Sequence, residues 1–226
     1  MSTQPAAESF ADETPDQIPV RGFLHRPRGD PAGALVLTHG AGSNCRAPLL
    51  VAMADAFSTA GFLVLRCDLP FRQARLHGPP LGSAARDRDG LRRALQVVTP
   101  LAPGRLFLGG HSYGGRQASM LLAEDTALAA GLLLLSYPLH PPKKPVQLRT
   151  AHFPELRVRS LFVHGTRDPF GSIDEMRAAM ELLAAPKNLL VMEGAGHDLS
   201  ASGHKEVARK TMEAFREFMG IKSQAL

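Results

Sequence analysis

A serine framed by glycines carries the clearest chemistry of this chain. Residues 106–115 read Leu-Phe-Leu-Gly-Gly-His-Ser-Tyr-Gly-Gly, so an apolar strand leads into Gly110-x-Ser112-x-Gly114 and a helical pattern follows at once. A sharp strand-to-helix turn of this kind exposes a serine hydroxyl so that it can act as a nucleophile. The same turn points the backbone N–H of Tyr113 at developing negative charge. We therefore predict a nucleophilic role for Ser112.

Two further residues lie where a base and an acid for this serine belong. Asp168 follows one late apolar strand, and His197 follows the last strand of the chain. A serine nucleophile needs a histidine to take its proton and a carboxylate to fix the histidine's tautomer. The chain order Ser112, Asp168, His197 at the ends of successive strands predicts a catalytic triad. Asp198 and His204 are the nearby substitutes for the acid and the base.

The loop after the first parallel strand is the expected source of a second oxyanion donor. Residues 38–44 read Thr-His-Gly-Ala-Gly-Ser-Asn, and the glycines allow the backbone to turn its N–H groups toward the site. An oxyanion hole needs two donors, and loss of one costs about 3 kcal/mol of transition-state stabilisation. We predict that the N–H groups of Tyr113 and Ala41 fill this role, with Gly40 as the next choice.

The same loop allows a dinucleotide-binding alternative. Gly40-x-Gly42 after a strand, with Asp68 at the end of the next strand, resembles half of a dinucleotide fingerprint. Cys45 stands where the third glycine of that fingerprint belongs, and that glycine is needed for the helix to pack closely on the strand. The chain also lacks a GxxxxGK[ST] loop, an HExxH motif and a CxxC motif. We therefore expect no cofactor and no metal ion.

Short apolar runs alternate with helical patterns along the chain, which predicts βα units and a mostly parallel sheet. The predicted strands are Ala34–Thr38, Phe62–Cys67, Arg105–Gly109, Leu132–Ser136, Leu161–His164 and Leu189–Glu193, after a leading antiparallel strand at Val20–His25. The predicted helices span residues 46–60, 84–98, 114–124, 173–184 and 204–219. Ser172-x-x-Glu175 is a capping box that starts the fourth of these helices.

Length and composition indicate one α/β domain over residues 19–226 of the 226-residue chain, of which 44% is hydrophobic. Residues 1–18 contain four acidic and no basic side chains and no apolar stretch, which predicts a loose acidic tail and not a secretory signal. No apolar stretch reaches the roughly 18 residues that a membrane span needs. The two cysteines do not make a disulfide framework. We expect a cytoplasmic monomer or homodimer with no membrane partner.

The segment 66–93 is locally basic, with seven arginines against three aspartates. Such a segment can bind nucleic acid, bind an anionic substrate, or form a solvated face. The arginines of residues 84–98 are spread around the predicted helix, whose buried face is formed by Leu91, Leu95 and Val98. This spread favours a solvated face, and we expect no nucleic-acid partner.

The connection over residues 137–159 is the one long irregular segment, and a loop of this length is usually functional or disordered. It is too short for a helical lid domain, so the site should be open. Five polar residues are candidates for binding the substrate: His39, Arg72, His140, Arg149 and His152. Such residues would favour an acidic acyl or leaving group. The alternative is that the proline-rich loop packs its polar side chains outward.

With these residues assigned, the chain resembles the α/β-hydrolase superfamily from about residue 19 to 220. It looks most similar to the small, capless dienelactone-hydrolase-like proteins. Within them it resembles the group that includes the testis-expressed and nonspecific-lethal-complex α/β-hydrolase-like proteins and their bacterial relatives. The motifs behind this narrower resemblance are His39-Gly40-Ala41-Gly42, residues 109–116, residues 137–142, Leu148-Arg149 with His152, and Gly165-Thr166-Arg167-Asp168.

The resemblance implies an α/β-hydrolase fold with about seven or eight mostly parallel strands, helices on both faces and no cap domain. It implies a serine hydrolase that cleaves an ester or thioester of a small substrate through an acyl-enzyme on Ser112. Dienelactone hydrolases proper carry a cysteine nucleophile, so their substrate is not carried over. Two alternatives stay open. Some eukaryotic members of the group are complex subunits, which allows a silent binding or scaffold protein, and an acyltransferase would use the same residues.

Overall fold

Eight strands form one sheet in the computed structural model, which describes residues 7–221. The strands are β1 (Glu8–Asp12), β2 (Val20–His25), β3 (Gly33–Thr38), β4 (Phe62–Cys67), β5 (Leu106–His111), β6 (Gly131–Leu135), β7 (Arg159–Gly165) and β8 (Lys187–Met192). Their order across the sheet is β1-β2-β4-β3-β5-β6-β7-β8. The β1–β2 and β2–β4 pairs are antiparallel and the remaining pairs are parallel. The parallel strands end along one edge, where such sheets bind ligands.

Helices cover both faces of this sheet. They are α1 (Pro48–Thr59), α2 (Pro70–Ala74), α3 (Ala84–Val98), α4 (Tyr113–Glu124), α5 (Ile173–Met180) and α6 (His204–Met219). On one face, Phe57 of α1 and Phe215 of α6 meet with ring centroids 5.3 Å apart. On the other face, α3, α4 and α5 bury Leu91, Leu121 and Met176. Strands covered on both sides are apolar throughout, as their unbroken hydrophobic runs predicted.

The predicted α/β-hydrolase architecture is confirmed, and every predicted strand and helix is present. The bounds of β2, β4, α3 and α6 are as predicted, and the other predicted elements have shifted ends. The capping box of Ser172 and Glu175 is formed at the start of α5. That helix ends at Met180 instead of residue 184, and the chain then turns so that Leu183 is buried in the core. The described part of the chain has no cap domain, because residues 136–158 contain only the short 3₁₀ turn Phe153–Glu155.

The expectation of a loose tail is wrong for residues 8–12, which form β1. This strand pairs with β2, and its Phe10 packs against the core. Its acidic side chains are paired: Glu8 lies 3.3 Å from Arg26 and Asp12 lies 2.8 Å from Arg93. The acidic composition therefore reflects an edge strand held by ion pairs, not a disordered segment. Residues 1–6 of the predicted tail lie outside the described residues.

The arginines of α3 join that helix to its neighbours. Arg88 lies 2.8 Å from Glu124, and Arg92 lies 2.7 Å from Asp125. Each of these pairs joins α3 to the end of α4, while Arg93 joins it to β1. Three of the seven arginines of the basic segment are thus engaged in ion pairs within the chain.

No described helix combines the length and the apolar character that crossing a membrane requires.

Candidate active site

Ser112 occupies a strained turn between β5 and α4. Its backbone angles are φ 51° and ψ −117°, a conformation that non-glycine residues rarely adopt. The turn is fixed from two sides, because the N–H of Ser112 donates to the Leu135 carbonyl (2.9 Å) and that of Gly114 donates to the His39 carbonyl (3.1 Å). A Cβ on Gly114 would lie 2.5 Å from the His39 carbonyl oxygen. Glycine is therefore required where the turn meets the neighbouring loop.

The three residues predicted as a triad form a hydrogen-bonded chain. His197 Nε2 lies 2.8 Å from Ser112 Oγ, and His197 Nδ1 lies 2.8 Å from Asp168 Oδ2. An ionised carboxylate only accepts hydrogen bonds, so Nδ1 of His197 carries the proton and Nε2 is free to accept from the serine hydroxyl. The loops after β5, β7 and β8 thus bring Ser112, Asp168 and His197 together, as their places in the sequence predicted.

The carboxylate of Asp168 is fixed by its own loop. Its side chain is fully buried, and its Oδ1 accepts a hydrogen bond from the N–H of Phe170 at 2.9 Å. The ring of Phe170 then packs against His197, with ring centroids 4.2 Å apart. Phe170 was missed by the sequence analysis, where its position two residues after the acid was the only signal.

His111 supports the other side of His197. Its Nε2 donates to the carbonyl oxygen of His197 at 2.8 Å, and the two rings lie 5.1 Å apart. Burial lowers the pKa of His111 to about 4, so this ring stays neutral beside the catalytic candidate. His111 directly precedes Ser112 in the chain, and nothing in its residue type distinguished it from other buried histidines.

Two backbone N–H groups belong to the segments that meet at the turn of Ser112. Within the described part of the chain, neither the N–H of Tyr113 nor that of Ala41 donates a hydrogen bond. The loop that carries Ala41 lies against the serine, because a Cβ on Gly40 would be 3.4 Å from the Ser112 Cβ. The N–H of Tyr113 lies at the positive end of α4. This arrangement suits an oxygen that gains negative charge.

Comparison with known proteins assigns the chain to a family. The sequence model of the alpha/beta hydrolase domain family matches residues 31–219. The chain belongs to this family.

Solved structures of similar fold include several hydrolases. Dienelactone hydrolase from Anabaena variabilis is 21% identical with a TM-score of 0.77, and the match covers 95% of this chain and 99% of that one. An alpha-beta serine hydrolase homologue from Coxiella burnetii is 17% identical with a TM-score of 0.75, over 94% and 99% of the two chains. A serine hydrolase without a lid from Xanthomonas campestris is 17% identical with a TM-score of 0.70, over 96% of each chain. At these identities the likeness establishes the α/β-hydrolase fold.

In this α/β-hydrolase, two of the five predicted substrate-binding residues, His39 and Arg72, support the loop of Ala41. His39 also lines a cavity beside the turn of Ser112. His39 is fully buried; its Nδ1 donates to the Gly40 carbonyl (2.9 Å) and its Nε2 accepts from the N–H of Leu69 (3.1 Å). Arg72 is also buried, and its guanidinium donates to the Ala41 carbonyl at 2.7 Å. A buried polar group must satisfy its hydrogen bonds locally, which explains why both side chains turn inward.

The histidines of the long loop are also engaged inside the protein. His140 donates from Nδ1 to the Pro141 carbonyl at 2.8 Å and is buried. His152 Nε2 lies 2.8 Å from Ser119 Oγ, and burial lowers its pKa to about 4. The alternative of outward packing is therefore wrong for these two histidines, because the loop folds back onto α4 and the end of β6. Arg149 is half-buried, and its Nη1 reaches the Pro138 carbonyl at 3.4 Å.

The alternatives for the acid, the base and a nucleotide site have other roles. His204 Nε2 lies 3.1 Å from the Asp198 carbonyl, in the loop that leads to α6. Asp68 accepts a hydrogen bond from the N–H of Cys45 at 2.7 Å, so the carboxylate that a dinucleotide site would use is engaged within the protein. Among residues 7–221, no group of His, Cys, Asp and Glu side chains is arranged to hold a metal ion.

A cavity of about 320 Å³ borders the serine turn and the loop of Ala41. Its lining includes Gly40, Leu49, Leu50 and His111. Mostly apolar cavities with a few polar groups at one end are typical of small-molecule sites. This cavity has room for a small apolar group next to the hydrogen-bonded chain of Ser112.

Proposed function

We propose that this α/β-hydrolase is a serine hydrolase that cleaves an ester or thioester of a small substrate through an acyl-enzyme on Ser112. The observation that carries the proposal is the continuous chain from Asp168 Oδ2 through His197 to Ser112 Oγ, with both contacts at 2.8 Å. A serine in this arrangement is activated for attack on a carbonyl carbon.

The proposed reaction has two halves. In the first, Ser112 Oγ attacks the carbonyl carbon while His197 Nε2 takes the hydroxyl proton and Asp168 stabilises the imidazolium. The N–H groups of Tyr113 and Ala41 donate to the carbonyl oxygen as it gains negative charge. His197 then returns the proton to the departing alcohol or thiol, which leaves the acyl group on Ser112. In the second half a water molecule gives one proton to His197 and adds its hydroxide to the acyl carbon. The bond to Ser112 Oγ then breaks, His197 returns the proton to Oγ, and the carboxylic acid is released.

The single experiment that tests this proposal is intact-mass spectrometry after treatment with a fluorophosphonate probe, on the wild-type protein and Ser112→Ala in parallel. We expect one adduct on the wild-type protein and none on Ser112→Ala. Absence of an adduct on folded wild-type protein would contradict an activated serine and favour a binding or scaffold role. Activity is then measured on a panel of esters and thioesters, with and without an added alcohol acceptor. Product analysis in the presence of the acceptor separates hydrolysis from acyl transfer.

The narrower assignments belong to the same proposal. Tyr137–Pro138 and Leu148-Arg149 support a place in the testis-expressed and nonspecific-lethal-complex group of this family. A cytoplasmic location is supported by Cys45 and Cys67, which are both free thiols buried in the fold. We propose a monomer or homodimer, and size-exclusion chromatography with light scattering measures this state directly.

A further inference from the structure

Two arginines near the proposed nucleophile lack the carboxylate partner that many arginines of this chain have. Many arginines lie within 4.0 Å of a carboxylate, namely Arg21, Arg26, Arg88, Arg92, Arg93, Arg157, Arg177 and Arg209. In the described residues, neither Arg116 nor Arg149 has such a partner. The Nε of Arg116 is buried and has no hydrogen-bond partner, and Arg149 Nη1 reaches only the Pro138 carbonyl at 3.4 Å.

The fold brings the segments that carry these two arginines together at the end of β6. Tyr137 follows β6, and its hydroxyl donates to the Arg149 carbonyl at 2.5 Å, which folds the long loop back over the end of the strand. The N–H of Arg149 also donates to the Leu139 carbonyl at 2.8 Å. Burial lowers the pKa of Arg149, and the positive charge of Arg116 nearby lowers it further. Two like charges held together in a half-buried place are costly unless an anion joins them.

Arg116 lies one helical turn after the serine. Its N–H donates to the Ser112 carbonyl at 2.9 Å, so the two residues are about 6 Å apart along the axis of α4. Long side chains in a helix lean toward its N-terminus and cover the preceding turn. The side chain of Arg116 therefore leans toward the turn of Ser112 and Tyr113. An anion bound there would lie a few bonds away from a carbonyl carbon at Ser112 Oγ.

We propose that Arg116 and Arg149 bind a carboxylate of the substrate, so that the ester or thioester cleaved at Ser112 carries a negative charge. This inference rests on the proposed hydrolase function. A planar guanidinium can donate two parallel hydrogen bonds to a carboxylate, which gives orientation as well as affinity. The buried, unpartnered Nε of Arg116 gains an acceptor when the anion is bound. Arg149 was among the substrate-binding candidates predicted from the sequence, and Arg116 was not. Arg72 was also predicted, but its side chain is turned inward.

The test compares 4-nitrophenyl hydrogen adipate with 4-nitrophenyl hexanoate, which have the same leaving group and acyl length but differ in charge. We expect the wild-type protein to have the higher kcat/KM for the charged ester. Arg116→Gln and Arg149→Gln should each lower the ratio of the two kcat/KM values by about 10- to 100-fold, the effect of losing a charge-assisted contact. Arg157→Gln is the matched control, because Arg157 is 71% exposed and pairs with Glu155 in the same part of the chain.

A second measurement is independent of turnover. Isothermal titration of monomethyl adipate into Ser112→Ala, with and without Arg116→Gln, should show binding that depends on Arg116. Inorganic phosphate is the second titrant, and tighter binding of phosphate would overturn the assignment to a carboxylate. Equal kcat/KM values for the two esters, or a preference unchanged by both substitutions, would refute the anion site while leaving the hydrolase proposal intact. If neither ester is cleaved and the fluorophosphonate probe does not react, the hydrolase proposal fails, and the titration alone decides the anion site.

Discussion

His197 is held by three neighbours, each of which restricts its ring in a different way. Asp168 accepts the Nδ1 proton and fixes the tautomer, while Phe170 packs on one face of the ring. His111 holds the backbone of His197 through its carbonyl oxygen. Proton transfer requires the base to stay within hydrogen-bond distance of Ser112 Oγ, so a ring fixed on three sides meets this need before any substrate binds.

Asp168→Asn tests the tautomer argument at the residue scale. The asparagine keeps an oxygen for the N–H of Phe170 but presents an NH₂ group to His197. Nδ1 must then accept, so the proton moves to Nε2 and the ring can no longer take the proton of Ser112. We expect kcat for an ester substrate to fall by about 10⁴-fold with little change in the melting temperature.

Asp174→Asn is the control for this substitution, because Asp174 is 93% exposed and pairs only with Arg177 in the first turn of α5. Its kcat should match that of the wild-type protein. A normal kcat in folded Asp168→Asn would show that the carboxylate does not set the tautomer of His197.

Some residues of the site could be predicted from the sequence around them, and others depend on contacts with distant parts of the chain. The roles of Ser112, Asp168 and His197 can be predicted because each lies in the loop after a strand of recognisable pattern, and parallel strands end at one edge. The roles of Arg72 and His152 could not, because whether a polar side chain turns inward depends on the acceptors that a distant segment supplies. For Arg72 that acceptor is the carbonyl of Ala41, which is 31 residues away in the chain.

The turn between β5 and α4 is the element on which the site depends most. It must carry Ser112 at a positive φ while α4 starts at once and packs against the loop after β3. The close approach of Gly114 to the carbonyl of His39 is what allows these elements to meet. A side chain there would push α4 away from that loop, and the N–H groups of Tyr113 and Ala41 would separate.

Gly114→Ala and Gly42→Ala form a matched pair at this scale. A Cβ on Gly114 would lie 2.5 Å from a backbone oxygen and 2.6 Å from Thr38 Cγ2, whereas a Cβ on Gly42 would meet no atom within 4 Å. We expect Gly114→Ala to lower the free energy of unfolding by about 1–3 kcal/mol. Gly42→Ala should change it by no more than about 0.5 kcal/mol. Urea denaturation measures both, and equal values for the two variants would contradict the packing argument.

Strand β1 and helix α2 show where prediction from local pattern ends. The acidic residues of β1 gave no sign of a strand in the sequence. The strand is stabilised by pairing with β2 and by ion pairs with distant residues such as Arg93, which lies 81 positions from Asp12. Helix α2 has only five residues and starts with Pro70, so it has no measurable period. Elements of this kind are set by tertiary contacts, whereas α3, α6 and the parallel strands are long or apolar enough to be recognised alone.

At the scale of the whole molecule, the fold buries histidines as neutral rings. Burial lowers the pKa of His25, His111 and His152 to about 4 each, and the Arg66 guanidinium contributes to the shift at His25. In the unfolded chain these rings have a pKa near 6.5. Between about pH 6.5 and pH 4 the unfolded state therefore binds more protons than the folded state, so acidification over this interval lowers the stability. Above pH 6.5 both states are neutral at these rings, and the contribution disappears.

This linkage predicts a steep loss of stability in weak acid. The free energy of unfolding should fall below pH 6.5 by about 1.4 kcal/mol per pH unit for each buried histidine. Urea denaturation at pH 7, 6 and 5 measures this slope, and His25→Gln should reduce it by the share of one histidine because that ring is buried and its pKa is lowered to about 4. His77→Gln is the control, since His77 is exposed in a loop and its replacement should leave the slope unchanged. A slope that His25→Gln does not alter would mean that other groups cause the acid sensitivity, and the neutral burial of this ring would then not limit the stability of the fold.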